Sequence, residues 1–157
     1  MTDDVDARLN ELAREGWVAE VGLRLVEAGP DRVVGEYEIT PKHHQAYGIA
    51  HGGVHASVVE TLASMAAAVW AEPLGLSVVG LENSTSFLRA VRSGTLRATA
   101  TPRARGRTTQ VWEVAIDDEQ GRPVAVGRVR LLCLDPARSI DGSAVGDHRL
   151  GGGRAGE

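Results

Sequence analysis

The sequence predicts an α+β domain in which one antiparallel sheet curls around a single long helix. Three observations carry this: an apolar stretch at helical spacing from Val54 to about Ala71, four later runs in which apolar and polar residues alternate, and an earlier pair of extended runs split by a Gly-Pro turn. A chain of 157 residues is one domain in size. The residues divide into a single domain over 1–135, opening with a short helix, and a Gly-rich tail over 136–157.

Between residues 3 and 15, Val5, Leu9, Leu12 and Ala13 recur at helical spacing, and Gly16 is placed to end a short amphipathic helix. Residues 17–27 and 32–40 are extended in character, and Ala28-Gly29-Pro30-Asp31 between them makes the pair a hairpin. Residues 41–53 lack periodicity and read as a loop delivering the chain to the next element. In 54–71, Val58, Val59, Leu62, Met65, Ala66 and Val69 follow the i, i+3, i+4, i+7 rule, giving a helix about 26 Å long. Ala56, Ala63, Ala67 and Ala71 occupy its other face, so both sides must be covered by protein. After Glu72-Pro73-Leu74-Gly75, the runs 77–89, 95–105, 108–117 and 123–134 alternate with period two, and 118–122 is a hairpin loop. A single curved sheet leaves such a helix partly uncovered, and a second subunit would complete the cover.

Apolar residues at 43% and charged ones at 24% suffice for a core. Seventeen Lys and Arg against 21 Asp and Glu leave a net charge of −4, and six aromatics are too few for a base-stacking platform, so no nucleic-acid partner is expected. Cys133 is the only cysteine, the N-terminus is acidic, and the charge-free runs 54–59 and 61–71 fall short of the ~20 residues that span a bilayer. The expected setting is the cytoplasm, without a membrane partner. The tail has too few apolar side chains to offset the entropy of ordering it and is expected to be mobile.

Glu60 is the only charged residue between Gly53 and Glu72, in mid-helix among apolar neighbours. Burying an unpaired carboxylate is costly and usually raises its pKa, which marks such a residue for function. Ser64 lies about 40° from it on the helical wheel, so the two project together into the small-residue face. His51-Gly52-Gly53-Val54-His55 stands where loop becomes helix, where free N–H groups and the helix dipole suit an oxyanion. Gln45, seven residues before Gly52, can reach the same region. Four histidines, His43, His44, His51 and His55, raise a zinc reading, but no metal-binding spacing such as H-E-x-x-H is present and no metal is expected. Arg89, Arg92, Arg97, Arg103, Arg105 and Arg107, with Thr108 and Thr109, form a local cationic excess suited to phosphate.

Gln45, Gly48, His51-Gly52-Gly53, Glu60 and the strands of 77–135 together resemble the hotdog-fold acyl-CoA thioesterases. The phenylacetate-pathway type and the Arthrobacter-type 4-hydroxybenzoyl-CoA thioesterases are the nearest in pattern. The resemblance runs from 17 to 134 and is most specific over 41–64. It implies a five- to six-stranded antiparallel sheet around the helix, with subunits joined as homodimers or homotetramers. By position it implies that Glu60 attacks the thioester or activates water and that the Gly52 N–H polarises the carbonyl. Gln45 would lie near the thioester and Ser64 would help hold the water, with His51 in the same catalytic set. Arg89, Arg107 and Thr108 match regions that touch coenzyme A phosphates, and coenzyme A enters as part of the substrate, with no separate cofactor. Many phenylacetate-type relatives carry Asp and Asn where this chain has Glu60 and Gln45, which favours the aryl-CoA subgroup. The alternatives are a non-catalytic acyl-CoA-binding protein on the same scaffold and a hydratase using His55, for which the Asp partner is absent.

Overall fold

The computed structural model describes residues 7–11 and 13–137. The tail expected to be mobile lies outside the described residues from 138 onward, as do residues 1–6 of the expected N-terminal helix. Residues 7–11 are helical (α1), with Leu9 fully buried. Asn10 brackets the backbone of Leu25: its amide donates to Leu25 O at 3.1 Å and accepts from Leu25 N at 2.8 Å.

Residues Gly16–Val21 form a short helix (α2), where the sequence pattern reads as the start of a strand. A run this short fits either period; the decision falls to Gly22, whose φ of 75° closes the helix with its N–H on Val18 O and Ala19 O. The first strand is therefore only β1 (Arg24–Ala28), paired antiparallel with β2 (Val33–Ile39) as the expected hairpin. A 3₁₀ turn, Pro41–His43, follows, and the long helix α3 runs Gly52–Ala71, two residues earlier than its apolar pattern. The strands β3 (Ser77–Phe87), β4 (Gly94–Arg105), β5 (Thr109–Asp117) and β6 (Pro123–Leu134) then complete the sheet. Their boundaries match the alternating runs to within two residues.

All six strands join one antiparallel sheet in the order β1-β2-β4-β5-β6-β3, so β3 forms one edge beside β6. The segment Gly52–Leu74 is long and apolar enough to cross a membrane, at mean hydropathy 1.3, although the charge-free runs fell short. Half of it is buried inside the domain, as befits a core helix. Ala63, Ala67 and Ala71 are fully buried within the chain, so its own sheet covers most of the alanine face that was expected to need a second subunit. What stays open is a stripe of small and polar residues: Gly53 and His51 exposed, and Ser57, Glu60, Thr61 and Ser64 half-buried.

Glycines on the inner face let α3 lie close to the sheet. A Cβ on Gly35 of β2 would come within 2.8 Å of Leu23 and 3.3 Å of Leu62, and one on Gly127 of β6 within 2.6 Å of Val59 and 2.7 Å of Thr85. Gln110 is the fully buried polar side chain of the strands; it accepts from Trp112 Nε1 at 2.7 Å and donates to Cys133 Sγ at 3.1 Å, so its burial is compensated.

At the first turn of α3, His55 is buried with its Nδ1 on the Tyr37 hydroxyl at 2.8 Å. Burial, and after it the nearby His43, pushes His55 down to about 4 from its usual 6.5. Burial likewise raises the Tyr37 phenol.

Two outcomes follow from this packing. Gly127→Ala destabilises the domain by about 1–3 kcal/mol through overpacking against Val59 and Thr85, read as a lower urea midpoint at unchanged m-value. Because the folded state favours neutral His55, its contribution is complete above the unfolded pKa of 6.5, falls as pH drops through that value, and levels off below about 4. The full loss is roughly 3 kcal/mol at about 1.4 kcal/mol per pKa unit; urea midpoints between pH 7 and 5 decline in the wild type and are flatter in His55→Gln.

Candidate active site

The loop leading into α3 is fixed before the helix begins. Gly48, at φ 68°, turns the chain with its N–H on Gln45 O at 2.9 Å. The Arg92 guanidinium donates to the carbonyls of Tyr47 and Gly48 at 3.1 and 2.9 Å, and His44 Nε2 donates to Arg92 O at 2.7 Å. Ala50 N donates to Val91 O at 2.7 Å, closing the clamp. Within it the half-buried Gln45 accepts from Tyr47 N at 2.7 Å through Oε1. Its acceptor is thus committed, and the NH₂ group is what it can offer a ligand.

His51 caps α3: its Nδ1 accepts from Gly53 N at 2.9 Å, so the neutral ring carries its proton on Nε2. The Gly52 N–H has no acceptor among the described residues and sits at the positive end of the helix dipole. Both glycines are demanded by close contacts. A Cβ on Gly53 would lie 2.9 Å from His51 Nδ1, and one on Gly52 would strike the Phe87 ring at 2.6 Å. The space beside Gly52, expected to be open for a ligand's approach, is thus walled on one side by an aromatic ring that is itself 56% exposed.

Glu60 is half-buried rather than enclosed, and it has a partner. Its Oε2 accepts from Asn83 Nδ2 at 3.0 Å, and Oε1 lies against Gly80, where a Cβ would come within 2.3 Å of it. The unpaired buried carboxylate expected from sequence is therefore a paired one at the open stripe. Ser64 lies one turn further along that stripe. Eight residues separate Gly52 from Glu60, about 12 Å of helix at 1.5 Å per residue, so one chain does not bring the two together.

The arginine group divides. Arg97 pairs with Glu36 at 2.7 Å, Arg103 with Glu113, and Arg105 with Asp31 at 2.7 Å while lying over the Trp70 ring. Arg89 and Arg107 have no ion-pair partner among the described residues. Arg89 follows β3 and lines a cleft of about 200 Å³ with Arg92, Ser93, Arg122 and the acidic Asp118 and Glu119, near the start of β4. Arg107 and Thr108 stand in the turn after β4, whose twelve residues span ~40 Å. The expected phosphate contacts are thus at opposite ends of the sheet and cannot grip one phosphate within a single chain. Among the described residues no three His, Cys, Asp or Glu side chains are placed to hold a metal ion. His55, which a hydratase would require at its site, is committed to Tyr37 in the core.

Asn83, Thr85, Phe87 and Tyr37 were not singled out by the sequence pattern, while Arg92, grouped there with the phosphate-binding cations, and His55, named there for zinc or hydratase chemistry, instead hold the loop and the core. Residues 82–86 are all polar, so nothing in the pattern distinguished Asn83 from its neighbours.

With that geometry, the comparisons are consistent with one another. The thioesterase superfamily model matches residues 47–125, which take in part of the clamp, α3 and the strands β3, β4 and β5. The proofreading thioesterase EntH of Cronobacter sakazakii is 36% identical over 126 residues, covering 80% of this chain and 91% of its own. Among solved structures, the Mycobacterium tuberculosis protein Rv1847/MT1895 superposes with TM-score 0.74 at 45% identity over 77% of this chain and 97% of that one. Thioesterase HI1161 from Haemophilus influenzae does so with TM-score 0.76 at 34% identity over 80% and 87%. The chain belongs to the thioesterase superfamily, with the hotdog fold, and is a thioester hydrolase.

Proposed function

We propose that the chain hydrolyses an aryl- or medium-chain acyl-CoA thioester to the free acid and coenzyme A, at a site shared between two copies. One observation carries this reading: a half-buried, hydrogen-bonded carboxylate and an unbonded helix-terminal N–H belong to residues of the same helix whose backbones are separated by about 12 Å of axial rise. Both must lie within about 3 Å of one thioester group to act on it. Gly52 of one copy facing Glu60 of another would meet that condition, whereas on one helix the axial rise holds them apart.

The edge strand supports the same arrangement. β3 is an eleven-residue strand with a free edge among the described residues, and Leu81 and Phe87 on it, with Leu88 just beyond it, expose apolar side chains. Long exposed edges with apolar side chains are what chains pair to cover. Joining two β3 edges as a homodimer sets the open stripe of each α3 beside the other copy. A further pairing into a homotetramer accounts for phosphate-binding residues at both ends of the sheet, Arg89 at one and Arg107 with Thr108 at the other.

In this reading the thioester carbonyl accepts from Gly52 N–H, and Gln45 turns its NH₂ toward the reacting group. His51 holds the helix start in place, and Ser64 helps hold water. Either a Glu60 oxygen attacks the thioester carbon, expelling the coenzyme A thiolate and leaving a mixed anhydride that water opens, or Glu60 takes a proton from attacking water and the proton passes to the thiolate. An oxyanion donor supplies about 3–4 kcal/mol and a positioned base about 10²–10⁴-fold, enough for a reactive thioester. The buried free thiol of Cys133 is in keeping with a reducing cytoplasm.

Glu60→Gln lowers kcat by about 10²–10⁴-fold with an unchanged circular dichroism spectrum, measured as thiol release from a panel of aryl and medium-chain acyl-CoAs. Wild-type turnover in that variant rejects the assignment, and saturable acyl-CoA binding without thiol release by the wild type indicates the binding protein instead. In a single turnover in ¹⁸O-water, label in the Glu60 carboxylate identifies it as the nucleophile. For the shared site, mixing Glu60→Gln with Gln45→Ala chains under subunit exchange restores turnover above the mean of the two alone. A purely additive result places the whole site within one chain.

A further inference from the structure

The geometry points to Asn83 as a positioning residue for the Glu60 carboxylate, with Thr85 fixing the orientation of the Asn83 amide. This rests on the reading of Glu60 as the reacting group and adds what aims it.

Asn83 Nδ2 donates to two groups at once, Glu60 Oε2 and the Ala56 carbonyl on α3, each at 3.0 Å. A carboxylate and a backbone carbonyl can only accept, so the amide must present its NH₂ to both; the flipped amide would set its oxygen against two acceptors. On the other side the Thr85 hydroxyl donates to Asn83 Oδ1 at 2.7 Å. Every polar atom of the Asn83 amide that faces a neighbour is thereby matched. Glu60 is held by one oxygen, and the other is pressed toward Gly80.

This constellation exists because of a bulge in β3. The register of β3 on β6 pairs Gly80 with Leu131, then skips Leu81 and pairs Glu82 with Arg130. Val78 and Gly80 oppose the buried Cys133 and Leu131, while Asn83, Thr85 and Phe87 oppose the buried Val129, Gly127 and Ala125. A regular strand would send Gly80 and Asn83, three apart, to opposite faces; the extra residue sets both toward α3. Glu60 thus meets a gap at one carboxylate oxygen and a donor at the other. Gly127, opposite Thr85, leaves the room its hydroxyl occupies. The charged neighbour on β3, Glu82, faces away and pairs with Arg130 at 3.3 Å, and the titratable groups of α3 nearest in sequence, His51 and His55, are engaged with Gly53 N and Tyr37.

The test uses the full-length chain and the acyl-CoA that the wild type cleaves fastest among aryl and medium-chain thioesters. Asn83→Ala lowers kcat by about 10²-fold, the scale of a misplaced reacting group, with KM within about twofold. Thr85→Val, which leaves Asn83 in place, lowers kcat about tenfold, and Thr85→Ser recovers most of that loss. Asn83→Asp, which sets a second carboxylate against Glu60, moves the acid limb of the kcat/KM profile to higher pH, a shift that a merely structural role would not produce. Should Glu60→Gln be inactive while Asn83→Ala and Thr85→Val keep wild-type kcat, the positioning role is overturned and the assignment of Glu60 stands. Should Glu60→Gln turn over normally, that assignment fails and the positioning role with it. If Asn83→Ala does not fold, the Thr85→Val and Thr85→Ser pair decides alone: equal kcat in the two overturns the proposal.

Discussion

The close seating of α3 on the sheet is the constraint on which the rest depends. A helix packed on a sheet through large side chains would hold Glu60 too far from β3 to reach Asn83. Here Gly35, Gly80 and Gly127 face the helix from three strands, and a Cβ on any of them would collide with Leu23, with Glu60, or with Val59 and Thr85 respectively. Interiors are close-packed, so removing three Cβ atoms from the contact face draws the helix axis inward rather than leaving voids. Proximity of this kind places a helix carboxylate within hydrogen-bond distance of a strand amide. It also explains how a core with few aromatics is filled: alanines and valines on α3 reach the sheet directly, with Trp112 and Tyr37 as the large anchors.

The start of α3 is fixed by a different device, a polar one. The loop before it is tied down by Arg92 on two carbonyls and by His44 on the Arg92 carbonyl, and the first turn is held from beneath by the Tyr37–His55 pair. His51 then takes up the Gly53 N–H, which leaves the Gly52 N–H as a donor without an acceptor among the described residues. A donor fixed before substrate arrives needs no reorganisation when charge develops on a carbonyl oxygen, and this is where such groups gain most over water. Four of the five histidines thus serve local structure here: two on backbone groups of their own loop, one on the Arg92 carbonyl and one on a tyrosine.

How much of this was legible in the sequence follows from what each signal encodes. Alternation reports which face of a strand is buried, and it located β4, β5 and β6 well because those strands are regular over most of their length. It misread 17–21, since Trp17-Val18-Ala19-Glu20-Val21 satisfies both periods and only Gly22, as a helix terminator, separates them. The lone acidic residue in an apolar helix drew notice to Glu60, but its partner could not be read. Asn83 shares a face with Gly80 only through an unpaired residue at Leu81, and the polar run 82–86 carries no apolar alternation in which that change of phase could be read. The cationic run of 89–107 looked like one group because sequence neighbours in a long strand seem close; ~3.3 Å per residue carries its members to opposite ends of the sheet. Spacing likewise placed Gly52 and Glu60 on one helix, and eight residues at 1.5 Å each already set them about 12 Å apart along its axis.

That separation gives the open stripe its physical sense. An ionised carboxylate sealed in an apolar core pays a desolvation cost that is rarely recovered, whereas one at a half-open surface keeps part of its hydration. Glu60 lies between these cases: water reaches it from the stripe while Asn83 donates to it from the sheet. Small neighbours at Gly53, Ser57 and Ser64 keep the stripe shallow, so another surface can be laid along it without displacing side chains. A surface laid there excludes the remaining water and lowers the local dielectric, strengthening each interaction of the carboxylate with a neighbouring dipole or charge. Covering the stripe would complete the desolvation of the carboxylate, a cost that the half-open surface of the single chain avoids.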